Sequence, residues 1–234
     1  MNETMPEKRG VLRLQAGDGA GRMFQLAVMT VNPDELQHVL DETVVELEQA
    51  LRTGIVHAGA VLRGTDGRDA AVLAHLSGVP GERRKVERLR LPADSNMDTD
   101  LFAVEMVGHI PEQNFSDLEE GSPMAHFVNV FEVAPGERKR MLEQFASIMP
   151  HVSKKDGYVS ANVHFSLDGV YAANVGQFTD SASLESALGR PEVLAAFAKG
   201  AVSGALEKSF GILPKPPRFR RYEVYRVAGD NRNL

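Results

Sequence analysis

The chain has 234 residues, 43% of them hydrophobic and 25% charged, enough to bury the core of one large domain or two small ones. Its formal net charge is −6, no apolar run approaches a membrane span, and only Val11–Leu14 follows Lys8-Arg9, so the reading is a cytoplasmic protein without affinity for nucleic acid or membranes. With no cysteine, disulfides, thiolate catalysis and cysteine-ligated metals or clusters are excluded.

Residues 1–23 are rich in glycine and charge and read as a flexible arm, with one strand around Val11–Leu14. A regular pattern begins at Phe24. QLAVMTV reads as a strand, Pro33 marks a helix start, and Leu36, Leu40, Thr43, Leu47 and Leu51 recur at helical spacing until Gly54. IVHAGAVLRG and RDAAVLAHLSG flank Thr65-Asp66-Gly67 as a hairpin. The charged segment from Pro80 to Pro92 reads as a solvated helix face, and DLFAVEMVGHI closes the unit as a strand.

The same strand-helix-strand-strand-helix-strand order recurs after the acidic linker PEQNFSDLEEGSPM. Val31-Asn32-Pro33 matches Val133-Ala134-Pro135, Leu40 matches Leu142 and Gly67 matches Gly169, each offset by 102. The predicted organisation is therefore a first repeat at 24–110, a linker at 111–124 and a second repeat at 125–229. In the second, Met141, Phe145, Ile148 and Val152 form the buried stripe of one helix, with His151 as a cation near its C-terminus. Asp180 caps another, begun by Leu184, Ala187 and Leu188 and continued after Gly189-Arg190-Pro191 by Leu194, Phe197, Ala201 and Ala205. RFRRYEVYRV is the closing strand, and its arginines read as the charged blunting of a sheet edge. Each unit predicts a ferredoxin-like α+β sheet with one bare face, and two such sheets packed face to face form an internal dimeric α+β barrel.

The hairpin around Leu167-Asp168-Gly169-Val170 fixes a register. With Asp168-Gly169 as its central pair, Phe165 faces Ala172 and Val163 faces Asn174. One face then carries Val159, Ala161, Val163, Phe165, Ala172, Gly176 and Phe178, with a single amide, Asn174, among them. Ser160, Asn162, His164, Val175 and Gln177 lie on the other. Asn129 and Phe131 share a strand parity that lets them line the same pocket as Asn174. An amide N–H₂ aimed at a developing oxyanion is a useful catalytic group in a dry pocket. His164 suits a general base by residue type, but its register turns it away from Asn174, toward the inter-sheet side. His126 starts the first strand of the second repeat, where it could reach the sheet edge. The seven histidines are scattered, and no glycine-rich phosphate loop follows a strand, so neither a metal nor a tightly bound cofactor is expected.

NVFEV, GYVSANVHFSLDG, AANVGQF and SLESAL…PEVLAAF give residues 126–200 a resemblance to the antibiotic biosynthesis monooxygenases, a family of dimeric α+β barrel proteins. The resemblance implies oxygenation of a polycyclic aromatic polyketide such as an anthrone, with O₂ and, in some members, without metal or bound cofactor. It matches Asn174 to a pocket asparagine and Phe178 to a position that is Trp in the family. The equivalents in the first repeat are Val72 and Leu76, which implies a silent copy. A two-unit chain of this length is also similar to oxygenases that open the ring of angucyclines, of the jadomycin, gilvocarcin and kinamycin types. That likeness implies a Baeyer–Villiger-like oxygen insertion, assisted by diffusible reduced flavin from a flavin reductase. The expected site is catalytic Asn174, walled by Phe178, Phe165, Val163 and Phe197, with Asn129, Phe131 and His164 as further lining. A non-catalytic polyketide-binding protein or a cyclase using the same pocket is the alternative, and association into a homodimer stays open.

Overall fold

The computed structural model describes residues 10–15, 23–77, 87–92, 96–109, 115–154, 156–188 and 220–232. Within them lie β1 (Val11–Gln15), β2 (Met23–Thr30), α1 (Leu36–Arg52), β3 (Val56–Gly64), β4 (Asp69–Leu76), β5 (Asn96–His109) and β6 (Phe115–Glu119). They continue with β7 (Ala125–Glu132), α2 (Arg138–Val152), β8 (Tyr158–Ser166), β9 (Tyr171–Phe178), α3 (Ser181–Leu188) and β10 (Arg220–Gly229). Eight strands close into a barrel in the order β10-β3-β4-β2-β5-β8-β9-β7, with antiparallel neighbours. Within β2–β5 and within β7–β10 the spatial order is fourth, first, third, second, which is ferredoxin-like. The two halves join where β5 meets β8 and β10 meets β3. No helix among the described residues is long and apolar enough to cross a membrane.

Local chemistry explains the elements. In α1, Leu36, Val39, Leu40, Thr43, Leu47 and Ala50 form the buried stripe, and Gly54 stops the helix at φ 76. The two hairpin turns are built alike. Gly67 donates to the Gly64 carbonyl at 3.1 Å and Gly169 to the Ser166 carbonyl at 2.9 Å, each glycine at positive φ. The central pairs are therefore Thr65-Asp66 and Leu167-Asp168, one residue earlier than the sequence suggested for the second turn. The glycine instead takes the left-handed position that follows the turn. Asp168 accepts from Ser166 Oγ at 2.6 Å and from the Val170 amide at 3.0 Å, and the predicted pairings Phe165–Ala172 and Val163–Asn174 are present.

Three other expectations are corrected. A bulge between Tyr158 and Ser160 brings Tyr158, not Val159, onto the face of Phe178. Of the charged segment expected to be helical, 78–86 lies outside the described residues and 87–92 is irregular. Its Leu89 is buried and clasped through its backbone by the Gln25 amide, at 2.8 and 3.1 Å. Finally, β10 is not an edge, because it pairs with β3 on one side and β7 on the other. Its charges work as ion pairs across elements instead, Arg220 with Asp69, Arg221 with Glu185 and Arg226 with Glu120.

The barrel interior is one apolar cluster drawn from both halves, including Phe24, Leu26, Leu62, Leu73, Val128, Val175 and Tyr222. Its second-half wall is mixed. Ser160, Asn162, His164, His126 and Gln177 are all buried there, so His126 faces the interior and no sheet edge. A separate ribbon of β1 and β6 sets Leu12, Leu14 and Leu118 into this core. Asn162 donates to Ser116 Oγ at 2.7 Å, Gln177 to the Asp117 carbonyl at 2.8 Å, and Arg13 clasps Asp117 through two bonds of 2.8 and 2.7 Å.

Leu118→Ala should lower the unfolding free energy by about 3 kcal/mol in urea titrations; a loss below roughly 0.5 kcal/mol would mean that the ribbon does not complete the core. Burial also pushes the His126 and His164 imidazoles down to about 4, from 6.5. Between those values the unfolded chain binds more protons than the folded one. Stability is therefore complete above pH 6.5 and falls as pH drops through the window, by on the order of 3 kcal/mol per histidine. Urea midpoints measured across this range should fall with pH, less steeply in His164→Leu; a flat profile would contradict the buried neutral state.

Candidate functional site

On the helix-facing side of the second sheet, cross-strand register stacks the side chains in rows. Phe165 and Ala172 form one row, Val163, Asn174 and Asn129 the next, then Ala161, Gly176 and Phe127, and finally Tyr158, Phe178 and Ala125; the backbone of Phe131 pairs with Ala172. Asn174 is 1% exposed, and neither its Oδ1 nor its Nδ2 has a hydrogen-bond partner among the described residues. Asn129, also buried, sits directly across from it. Leaving a buried amide unpaired costs about 1–3 kcal/mol, so an arrangement of this kind needs a reason.

The first half shows what the fold requires without a site. At the same offset of 102, the row Val163–Asn174–Asn129 becomes Val61–Val72–Ala27. There the outer face is a single apolar cluster from Met23 to Leu76 beneath α1, and Leu47 lies so close over Gly59 that a Cβ would meet its Cδ1 at 2.5 Å. In the second half the apolar packing divides. One cluster gathers Phe178, Tyr158, Phe127 and Leu184, the other Phe165, Val163, Ala172 and Phe145. From α2, Phe145 packs against Val163, Phe165 and Ala172.

Aromatic side chains flank the amides. Gly176 carries the Phe127 ring directly on its Cα, since a Cβ there would fall 2.0 Å from a ring carbon. Phe127 is 6.4 Å from Phe178, and Tyr158 meets Phe178 edge-on at 5.8 Å. On the other side of the amides, the Arg138 guanidinium stands 5.0 Å over the Phe165 ring. Burial pushes the Tyr158 phenol above its ordinary range, and its hydroxyl lies 3.6 Å from the Met149 sulfur. From α3, Leu184 and Ala187 complete the apolar wall, and Asp180 caps that helix by accepting from the Ser183 amide at 2.8 Å.

The structure thus brings together Asn174, Asn129, Val163, Phe165 and Phe178 on one face. His164 is not among them. It lies on the barrel interior, with Phe24 edge-on at 6.2 Å. Phe197 and the side chains of Phe131 and His151 fall outside the described residues. Phe127 and Tyr158 were missed in the sequence; Phe127 shares parity with Asn129, and a glycine opposite an aromatic was the available signal. Among the described residues no group of three or more His, Asp and Glu side chains could hold a metal ion.

No protein-family model matches the sequence, and no curated protein matches it. Solved structures do. An anthrone oxidase-like protein superposes with a TM-score of 0.70 at 14% identity, covering 95% of this chain and 98% of its own. A protein from Fusobacterium nucleatum described as a candidate monooxygenase gives 0.56 at 8% identity, covering 90% and 95%. A monooxygenase-like protein from Listeria innocua gives 0.50 at 10% identity, covering 87% and 94%. At such identities the likeness shows a shared fold.

Asn174→Val, which installs the residue of the first half, should raise the unfolding free energy by about 1 kcal/mol in urea titrations. A loss of more than roughly 1 kcal/mol would assign the amide a structural hydrogen bond.

Proposed function

We propose that the chain is an oxygenase for a flat polycyclic aromatic polyketide, an anthrone or an angucyclinone, bound over the Asn129–Asn174 row. The observation that carries this reading is the buried Asn174 amide, without a hydrogen-bond partner among the described residues, at a position that is Val72 in the first half. An electron-rich anthrone or phenol, once ionised, reduces O₂ without help from a metal. The protein has to bind the rings, favour the oxyanion and exclude water. The Asn174 N–H₂ donates to that oxygen, and Phe127, Phe165 and Phe178 supply apolar wall. The match to an anthrone oxidase-like protein along nearly the whole of both chains supports the proposal. On this reading the chain is a dimeric α+β barrel built within one polypeptide, with a working pocket in its second half and a filled one in its first.

Ring opening by Baeyer–Villiger-like insertion, with reduced flavin diffusing in from a reductase, is the angucyclinone form of the same proposal. The purified protein should be incubated in air with an anthrone and with an angucyclinone, with and without a flavin reductase, and product masses followed. Oxygen gained without flavin supports the cofactor-independent form, and gain only with flavin supports the second. Binding without turnover of either would sink the oxygenase reading in favour of a polyketide-binding protein. Asn174→Ala should lower kcat/KM about 100-fold or more.

A further inference from the structure

The two halves also differ where the helix over each sheet begins. At the offset of 102, Leu36, the first residue of α1, becomes Arg138, the first of α2. Arg63 likewise becomes Phe165, each paired across the hairpin with an alanine, Ala70 and Ala172. In the first half Leu36 is buried in the apolar cluster beneath α1. Arg63 donates to Gln37 and stands 4.8 Å over the Tyr225 ring, and Tyr225 donates to Asp41, so the start of α1 is tied to β3 and β10. Helix and sheet are sealed together at that end.

The second half has the reverse arrangement. Here the strand residue, Phe165, is buried, and the exposed Arg138 holds its guanidinium 5.0 Å over that ring. Lys139 and Glu143, the equivalents of Gln37 and Asp41, are exposed and pair with each other along the helix at 3.9 Å. Glu137, the carboxylate next to Arg138 in the chain, pairs with Arg140. The Phe165–Ala172 row is the neighbour of the Val163–Asn174–Asn129 row, two residues along each strand, or about 7 Å. Leucine exchanged for arginine and valine for asparagine thus fall side by side on one face. Packing demands neither exchange, since the first half builds the same elements with Leu36 and Val72.

We propose that Arg138 is a specificity-determining residue of the Asn129–Asn174 site and that the substrate is an acid, a polycyclic aromatic compound whose carboxylate Arg138 takes while the Asn174 amide meets the ring oxygen. The inference rests on the oxygenase reading of that row. A guanidinium held over a ring keeps its planar N–H fork for bidentate pairing with a carboxylate, and the ring face restricts where the fork can go. The apolar surroundings of Phe165 strengthen the pairing relative to one in open water. A separation of one row places the carboxylate on a ring beside the oxygen-bearing one rather than on a long flexible arm. A neutral analogue would gain the apolar contacts alone.

The test is equilibrium binding of anthraquinone-2-carboxylate and of its neutral carboxamide to the full chain, at pH 7 and low ionic strength. The wild type should bind the acid about ten-fold more tightly than the amide. Arg138→Leu, which installs the first-half residue, should erase that preference by weakening the acid alone, and Arg138→Lys should keep part of it. Asn174→Val should weaken both ligands by the same factor, because both carry the ring oxygen. Thermal melts of each variant establish that it is folded. Equal affinities in the wild type, or an equal loss of both ligands in Arg138→Leu, overturns the inference and leaves the oxygenase reading in place. If Arg138→Leu acts on the acid alone but Asn174→Val changes neither ligand, the acid is held away from the amide row and the inference falls as well. Binding of neither ligand to the wild type overturns the inference together with the reading of the row as a site.

Discussion

Everything in this molecule depends on the two seams that close the barrel, β5 against β8 and β10 against β3. A ferredoxin-like sheet covered by helices on one side has a second face and two strand edges with unpaired backbone groups. One half cannot satisfy these by itself. Pairing each outer strand with the other half removes all four edges at once and turns both bare faces into a common interior. Only then can Ser160, Asn162, His164 and His126 sit fully buried, and only then does the β1–β6 ribbon find a rim to rest on.

Closure also frees the outer faces to diverge. In the first half the outer face is spent on packing, with Leu47 pressed onto Gly59 and Gln25 clasping the backbone of Leu89. In the second the corresponding row carries two amides. Stability supplied by the packing of the first half offsets an amide that has no hydrogen-bond partner among the described residues of the second. A TM-score of 0.70 at 14% identity is consistent with a fold held by pattern rather than by particular residues.

Much of this was legible in the residues because side-chain direction in a strand has a period of two. Once Gly67 and Gly169 were aligned, the offset of 102 fixed the rows, and Asn174 opposite Val163 followed. The hairpin turn was displaced by one residue without harm, since glycine at the left-handed position preserves the register. Interactions between distant segments were not legible. The arginines of β10 look like edge protection until β3, far earlier in the chain, is known to pair with it. The linker residues Phe115–Glu119 carry too few apolar side chains to announce a strand, and they form one because β1 and the barrel rim meet them. Phe127 escaped notice because its role depends on lying over Gly176, a contact no spacing rule records.

The β10–β3 seam joins Tyr222 to Gly64. Contacts between residues roughly 160 apart are slow to form, because the chain between them has to be ordered first. During synthesis the first half emerges with β3 and β5 exposed on either side, each a template for another strand, until β8 and β10 have left the ribosome. For that interval the nascent chain is most vulnerable to pairing with a neighbouring copy of itself. A slow translation step or a scarcity of chaperone between the two halves would therefore reduce the yield of active protein without altering the stability of the molecules that finish folding.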